Sequence, residues 1–287
     1  MIAILKHELR SYFNSLTAYV FGAFLLVFVG IGAMLYNLQA AVSNFEYVLS
    51  FSSLVFVVIV PILTMRVIAE ERKQKTDQLL YSLPVSTTEV IVGKFLALLA
   101  VYLVPLCIIS LYPLIFSRYG EVNLLTAYGS LIAFFFMGAA LMAIGMFVSS
   151  LTENQGFAAG ISIAIILFNY FSVSLAEYVS ATALGSAIVI FISAALLALI
   201  VHKLTKNETL SYVVVIGIMA ATTIVFYIDH TVFEGLLPDI MKTLSLFDRF
   251  ETVVNGVFDL TAIIYFLSVI AFFLFLSVQS LEKRRYN

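Results

Sequence analysis

The most charged part of this chain is one connection, residues 66–84. A polar half is followed by Leu79, Leu80 and Leu83, and then by Pro84, which stops a helix. This pattern predicts a short amphipathic helix over 70–84 that lies beneath a membrane and offers its charges to the cytoplasm. A solvated loop is the alternative that the spacing alone leaves open. The charged residues of the segment include Glu70, Glu71, Arg72, Lys73 and Asp77.

Motifs for catalysis or metal binding do not stand out. Gly93–Phe95 lacks the upstream glycine and the following hydroxyl residue of a Walker A loop. Gly160–Ala164 lacks the final glycine of a nucleophile elbow. The three histidines are isolated, and the single cysteine, Cys107, lies in an apolar stretch, so neither a metal site nor a disulfide is indicated. We therefore predict no catalytic residue, no metal site and no cofactor bound by this chain, which is not expected to be an enzyme.

Eight apolar stretches fill most of the 287 residues, and none contains Asp, Glu, Lys or Arg. A helix needs about 20 apolar residues to cross the hydrocarbon core, and continuous runs favour helices over barrel strands. The sequence predicts an all-α polytopic membrane protein, a single transmembrane domain over 1–287. Six to eight helices would cross the membrane, because 157–201 could form a re-entrant pair. The stretches are 16–36, 47–65, 95–116, 124–149, 157–176, 181–201, 210–228 and 260–278.

The basic residues indicate the orientation. If the odd-numbered connections are external, twelve Lys and Arg residues lie in the cytoplasmic pieces and only Arg118, Lys242 and Arg249 lie outside. Such a bias is typical of the positive-inside rule. We predict that both termini are cytoplasmic and that the protein lies in the cell (cytoplasmic or inner) membrane. The net charge of −2 gives no reason to expect a nucleic-acid partner.

Two further segments are amphipathic. In residues 1–15, apolar residues recur on one face and Lys6, Glu8 and Arg10 are assigned to the other, which predicts an interfacial helix on the cytoplasmic side. A simple extension of the first span is the alternative. Segment 229–259 carries apolar residues at helical spacing, which predicts short external helices that either dip into the outer leaflet or lie on its surface.

Several apolar stretches begin with a capping box, in which a hydroxyl residue is followed three residues later by Glu or Gln. Ser43–Glu46, Ser86–Glu89 and Thr152–Gln155 have this pattern. The last of them is also a polar cluster that a partner could contact. Its members are Thr152, Glu153, Asn154 and Gln155.

Small residues cluster in the fourth and fifth stretches. Gly156 and Gly160 form a GxxxG pair, which permits close approach of a second helix. The contact could lie within the chain or between subunits, and the sequence leaves both open.

The absence of charge from the stretches bears on energy coupling. Secondary transporters usually place ionisable groups inside the membrane, where they form ion sites and proton relays. Without them, energy for transport must arrive from outside the bilayer, and segment 70–84 is the natural place to receive it. An ion-coupled secondary transporter and a non-transporting assembly factor remain as alternatives.

Three motifs together resemble a known family. Ala69–Arg72, leading to Leu79–Ser86 and Gly93–Phe95, resembles the signature of type-two ABC exporter permeases. Ser149–Gln155 and the C-terminal stretch from Phe247 to Arg285 are similar to the gliding-motility and nitrous-oxide-maturation branch of that family. The resemblance covers nearly the whole chain.

The resemblance implies the permease subunit of an ATP-driven exporter, paired with two copies of a cytoplasmic ATP-binding cassette subunit and with a second permease copy or paralogue. ATP and Mg²⁺ would be bound by the ATPase. It also implies that segment 70–84 is the coupling helix, with 152–155 as a secondary cytoplasmic contact. Lys75-Thr76 stands where many members have Gly-Thr. The coupling residues would be Glu70, Glu71, Arg72, Lys73, Asp77, Leu79 and Leu80.

Overall fold

The computed structural model of this chain describes residues 1–76, 86–179, 182–183, 185–192, 208–256 and 260–285. Over these ranges the chain is almost entirely helical and contains no strand. The main helices are α1 (Ile2–Asn14), α2 (Leu16–Gly32), α3 (Glu46–Ser53), α4 (Phe56–Thr64), α5 (Ala69–Gln74), α6 (Thr87–Ile109), α7 (Leu111–Phe116), α8 (Leu124–Leu151), α9 (Gln155–Tyr178), α10 (Glu208–Ile228), α11 (Leu236–Thr243), α12 (Leu246–Val254) and α13 (Leu260–Arg285).

The number of candidate spans confirms a polytopic membrane protein. Five helical segments are long and apolar enough to cross a bilayer, and two bent pairs raise the number to seven if each pair counts as one span. These counts cover the described part of the chain, and most of the predicted stretch 181–201 lies outside it. The five segments are Leu16–Gln39, Thr87–Phe116, Leu124–Leu151, Gln155–Tyr178 and Leu260–Arg284; the bent pairs are Glu46–Ser53 with Phe56–Gln74, at 61°, and Ile216–Ile228 with Thr231–Thr243, at 117°.

The chain divides into two compact units. The first comprises Met1–Tyr170 with Leu246–Asn287, and the second comprises Phe171–Ser245. In the second unit, the Asp229 side chain caps a 3-10 turn at His230–Phe233 by accepting the Thr231 N–H at 3.0 Å. Over the described part of 229–259 the chain also forms the short helices α11 and α12, and whether these are external or re-entrant stays a prediction.

Helix α8 is the centre of the first unit. It is the most buried of the five candidate spans and packs against α3, α4, α12 and α13. One hydrogen bond and one ring contact, both at Phe134, connect α8 to α6 and to α4. The Tyr102 hydroxyl of α6 donates to the Phe134 carbonyl at 2.9 Å, and the Phe56 ring of α4 lies 4.7 Å from the Phe134 ring.

The capping predictions are correct at one helix and wrong in detail at two. Ser86 Oγ accepts the Glu89 N–H at 3.2 Å and begins α6, as predicted. Helix α9 is capped by Asn154 rather than Thr152, since Asn154 Oδ1 accepts the Phe157 N–H at 3.2 Å. At α3 the cap position is Phe45, and no side chain caps that helix.

Candidate functional site

A buried lysine joins three helices at one end of the first unit. Lys94 lies about two turns into α6, and its side chain is 2% exposed. Its Nζ lies 2.8 Å from Glu8 Oε1 of α1 and 2.7 Å from Glu71 Oε1 of α5, and it donates to the Val67 carbonyl at 3.0 Å. An ammonium has three N–H donors, and these three acceptors match them in number. We call Glu8, Glu71 and Lys94 the ion triad.

A second ion pair holds the start of α5. Arg66 Nε lies 3.1 Å from Glu70 Oε2, and Arg66 Nη1 donates to Thr17 Oγ1 at 2.8 Å. The same guanidinium lies over the ring of Tyr12, 5.7 Å from its centroid. Burial, together with the nearby Glu8 carboxylate, raises the pKa of the Tyr12 hydroxyl far above its ordinary value, so this hydroxyl stays protonated at physiological pH. A cavity of about 430 Å³ lies among these groups.

Ser149, in the last turn of α8, closes the break between α4 and α5. Its fully buried hydroxyl accepts the N–H groups of Ile68 and Ala69 at 3.2 and 3.1 Å and donates to the Met65 carbonyl at 3.0 Å. The start of a helix leaves N–H groups without intrahelical partners, and here a side chain from another helix supplies the acceptor. Ser149 thus ties α5 to α8.

Replacing Ser149 with alanine should destabilise the protein by about 2 kcal/mol, because two buried backbone N–H groups would lose their acceptor. Thermal unfolding in detergent measures the loss, and hydrogen exchange at Ile68 and Ala69 should rise. The neighbouring Ser150→Ala is the control, since the Ser150 hydroxyl donates only to the Phe147 carbonyl of its own helix, at 2.7 Å. Equal effects of the two variants would contradict this role for Ser149.

The far end of α5 is exposed and tightly turned. The Lys75 N–H bonds the Arg72 carbonyl at 3.2 Å and the Thr76 N–H bonds the Glu71 carbonyl at 3.0 Å, which is the Schellman arrangement. This turn puts Lys75 at φ 55°, in the left-handed region that glycine adopts without strain. A Gly-Thr sequence at this position therefore has a conformational reason, and Lys75 accepts the same geometry at some cost.

The predicted coupling residues fall into three groups. Glu70 and Glu71 form ion pairs inside the chain, and Arg72 is 4% exposed. Lys73 is exposed to solvent. The remaining predicted contacts, Asp77, Leu79 and Leu80, lie outside the described residues.

A sequence model described as "ABC-2 family transporter protein" matches residues 31–228, more than half of the chain. The chain belongs to this family. It is a multi-pass permease, the transmembrane component of an ABC transporter, and the family implies a partner subunit that binds ATP. No curated protein matches the chain significantly.

The second predicted contact, 152–155, lies at the same end of the permease as α5. It follows the last turn of α8, where Ser149 contacts α5. Arg284 Nη2 of α13 lies 2.8 Å from Glu153 Oε1, and both side chains are exposed. Thr87 Oγ1, at the start of α6, donates to Glu282 Oε1 at 2.9 Å. The ends of α6, α8 and α13 thus share one polar face with α1 and α5.

The glycine pair predicted to pack helices is not closely approached within the described residues. An added Cβ at Gly160 would meet no atom within 4 Å, and one at Gly156 would meet only the nearby Asn154 Oδ1, at 3.4 Å. Close approach occurs instead at two glycines of α8. A Cβ at Gly138 would lie 2.7 Å from the Tyr102 ring, and one at Gly145 would overlap the Thr64 side chain. Packing of Gly156 and Gly160 against a second subunit stays a prediction.

The ion triad of the permease is not evident from the sequence pattern. The amphipathic pattern of residues 1–15 assigns Glu8 to the polar face of α1, although Glu8 lies three residues after Leu5 and four before Tyr12, on the face that packs inward. The third uninterrupted apolar stretch starts at residue 95, one residue beyond Lys94. The Ser86 cap, which the sequence pattern does predict, sets the helix start eight residues before Lys94 and could have placed this lysine inside the span.

Proposed function

We propose that this permease is the transmembrane subunit of an ATP-driven exporter that takes its energy from a separate cytoplasmic ATPase. Two permease chains, identical or paralogous, would work with two ATPase subunits that bind ATP and Mg²⁺. The complex would lie in the cytoplasmic membrane, with both permease termini in the cytoplasm. Family membership supports an ATP-binding partner in general; the export direction, the subunit numbers and the gliding-motility or nitrous-oxide-maturation branch are parts of the proposal.

The way α5 is braced carries this proposal. Glu71 bonds Lys94 of α6, Glu70 bonds Arg66, and Ser149 of α8 accepts the first N–H of α5. The opposite end of α5 is exposed from Lys73 to Thr76. A displacement of that exposed end would move α6 and α8, because α5 contacts both helices directly through Lys94 and Ser149. It would also move α1, because Lys94 pairs with Glu8 of that helix.

The braced geometry also divides the coupling residues by task. Glu70, Glu71 and Arg72 would position α5 rather than contact the ATPase, since their side chains are engaged or buried in this chain. Lys73 and Lys75 would offer positive charge to the ATPase, together with the segment that holds Asp77, Leu79 and Leu80. Thr152, Glu153, Asn154 and Gln155 would form the secondary contact on the same face.

One variant reverses the two exposed charges, with Lys73→Glu and Lys75→Glu. It should weaken ATPase binding by about tenfold, because glutamates would repel the negative groups of the ATPase that the proposal pairs with these lysines. The measurement is co-purification of the co-expressed ATP-binding subunit with the tagged permease, followed by ATP hydrolysis in the purified complex. Neither lysine belongs to an ion pair found in the described residues, so the fold should be unchanged.

The matched control is the double variant Arg118→Glu and Lys242→Glu, which changes the net charge equally. Both side chains are exposed, and the proposed orientation puts both outside the cell. This control should bind the ATPase like the wild type. Full ATPase binding by the Lys73→Glu/Lys75→Glu variant would exclude α5 as the docking helix, and failure of any ATP-binding subunit to co-purify with the wild type would count against the proposed function itself.

A further inference from the structure

A large apolar cavity lies at the opposite end of α8 from the ion triad. Its volume is about 670 Å³. Residues between Leu124 and Ile132, at the start of α8, form one wall, and Val253 in the last turn of α12 forms another together with Gly256 just after that helix. Pockets for small organic ligands are typically 300–1,000 Å³ in size and mostly apolar, with a few polar groups. Leu125 and Ile132 in the α8 wall are 86% and 44% exposed, so the cavity opens to the outside of the helix bundle. Both walls belong to the first unit.

One polar group in this wall, the Ser130 hydroxyl, has no hydrogen-bond partner in the described part of the chain. Ser130 is fully buried, and its hydroxyl forms no hydrogen bond with any residue that the structure describes. Several other buried hydroxyls bond the carbonyl one turn earlier, as Ser52 does with Val48 at 2.7 Å and Ser277 with Phe273 at 2.8 Å. Within the described chain, Ser130 makes no such bond, and neither do Ser162 and Ser186. A buried polar group without a partner calls for an explanation, and a ligand with a hydrogen-bond acceptor supplies one.

The depth of Ser130 in the membrane indicates which hydrogen-bond acceptor of a ligand its hydroxyl would meet. Helix α8 has 28 residues and is therefore about 42 Å long, whereas the hydrocarbon core is about 30 Å thick. If the surplus is shared equally, each end extends about 6 Å beyond the core. Ser130 is six residues after the start of α8, or about 9 Å along it, which places its hydroxyl about 3 Å inside the core boundary. Ester carbonyls of phospholipids lie at this boundary, immediately above their acyl chains.

We propose that this cavity binds one ester-linked acyl chain of a membrane lipid. The chain packs against Leu125, Ile132 and Val253, and the ester carbonyl accepts a hydrogen bond from the Ser130 hydroxyl. The apolar lining suits the chain, the exposed mouth gives lateral access from the bilayer, and the unpaired hydroxyl gains a partner. This site does not depend on the proposed ATP-driven export, since lipid binding requires neither ATP nor the ATPase.

Photolabelling tests where the lipid binds. The purified full chain in detergent is mixed with phosphatidylcholine that carries a diazirine in one acyl chain, at about one lipid per protein, and is then irradiated. We expect mass spectrometry to find label on Ile132 and Val253. Thr126→Phe, which places a ring in the cavity, should reduce this label at least fivefold. Phe272 and Phe275, which are exposed on α13, serve as the reference for non-specific labelling and should be labelled equally in both proteins.

A second experiment tests the hydrogen bond and does not require filling the cavity. The wild type should bind the diester lipid about threefold to tenfold more tightly than the dialkyl ether analogue, which has no carbonyl acceptor, and Ser130→Ala should remove this preference. Ser162→Ala is the matched control. Ser162 is also fully buried without a partner in the described chain, but it lies outside this cavity and should leave the preference intact.

Two results would overturn the proposal. One is label on Ile132 and Val253 that Thr126→Phe does not reduce, accompanied by equal ester preference in wild type and Ser130→Ala. The other is occupation by a second copy of the chain: a photoreactive residue at position 126 would then form permease dimers, and the diazirine lipid would label only Phe272 and Phe275.

Discussion

Replacing Lys94 with methionine should destabilise the permease by about 3 kcal/mol, one of the largest losses expected from a single substitution in this chain. Methionine fills a similar volume, so the cost is electrostatic. Glu8 and Glu71 would face each other across a buried site with no cation between them, and the Val67 carbonyl would lose its donor. Circular dichroism during heating in detergent measures the loss. Helix α1 should also become sensitive to protease, because the triad connects it to α5 and α6.

The control removes all three charges together. A triple variant with Glu8→Gln, Glu71→Gln and Lys94→Met leaves no uncompensated charge, and replacing a whole buried ion group with neutral residues is often close to neutral for stability. The triple variant should therefore recover most of the stability that Lys94→Met alone loses. If Lys94→Met is as stable as the wild type, the ion triad does not hold these helices together.

The sequence pattern predicts the helix α1 but places Glu8 on the wrong face of it. The reason is that Glu8 pairs with a residue far away along the chain. The apolar spacing in residues 1–15 does produce a helix, Ile2–Asn14. A charge is assigned to the solvated face by default, because burying it alone is expensive. Glu8 faces inward because Lys94, 86 residues later, supplies the opposite charge. A single sequence does not reveal a partner that far away, and helical spacing alone only shows that Glu8 shares a face with Leu5 and Tyr12.

The third span, unlike its apolar stretch, contains a charged residue. Helix α6 begins at Thr87, so the candidate span that contains it includes Lys94. Only residues 95–116 of this span are free of charge, and within the span they alone support the prediction that energy for transport arrives from outside the bilayer. Lys94 itself is neutralised by two carboxylates at the polar end of the helix, an arrangement that fastens α6 to α1 and α5. Five of the apolar runs coincide with the five unbroken candidate spans of the described chain. For α6, however, the run starts at the first uninterrupted apolar residue and leaves out the capped polar turns of the helix.

Small residues show a related limit of sequence patterns. The GxxxG spacing of Gly156 and Gly160 identifies a face that could accept a close neighbour, but the spacing does not say whether a neighbour is there. Gly138 and Gly145 are seven residues apart, which is two helical turns, and they have the neighbours: Tyr102 of α6 and Thr64 of α4. Which glycines are packed depends on where α4 and α6 lie, and that is a property of the tertiary fold.

Alanine at Gly145 and alanine at Gly160 should therefore change stability in opposite directions. In a helix, Gly→Ala stabilises by up to about 1 kcal/mol through backbone entropy alone. At Gly145 the added methyl group would overlap Thr64, whose hydroxyl is fixed by a 2.9 Å bond to the Val60 carbonyl, so α4 and α8 must separate. Overpacking of this kind costs about 1–3 kcal/mol, and the net effect should be a loss.

At Gly160 the added methyl group meets no atom of the described chain within 4 Å. The full stabilisation that alanine gives a helix relative to glycine should therefore appear in the monomer. Thermal unfolding of the two variants in detergent, at the same low protein concentration, gives both signs in one experiment. Equal stability of Gly145→Ala and wild type would contradict the close contact between α4 and α8. A loss at Gly160→Ala that grows with protein concentration would show instead that the Gly156–Gly160 face packs against a second subunit, because only a contact between chains depends on concentration.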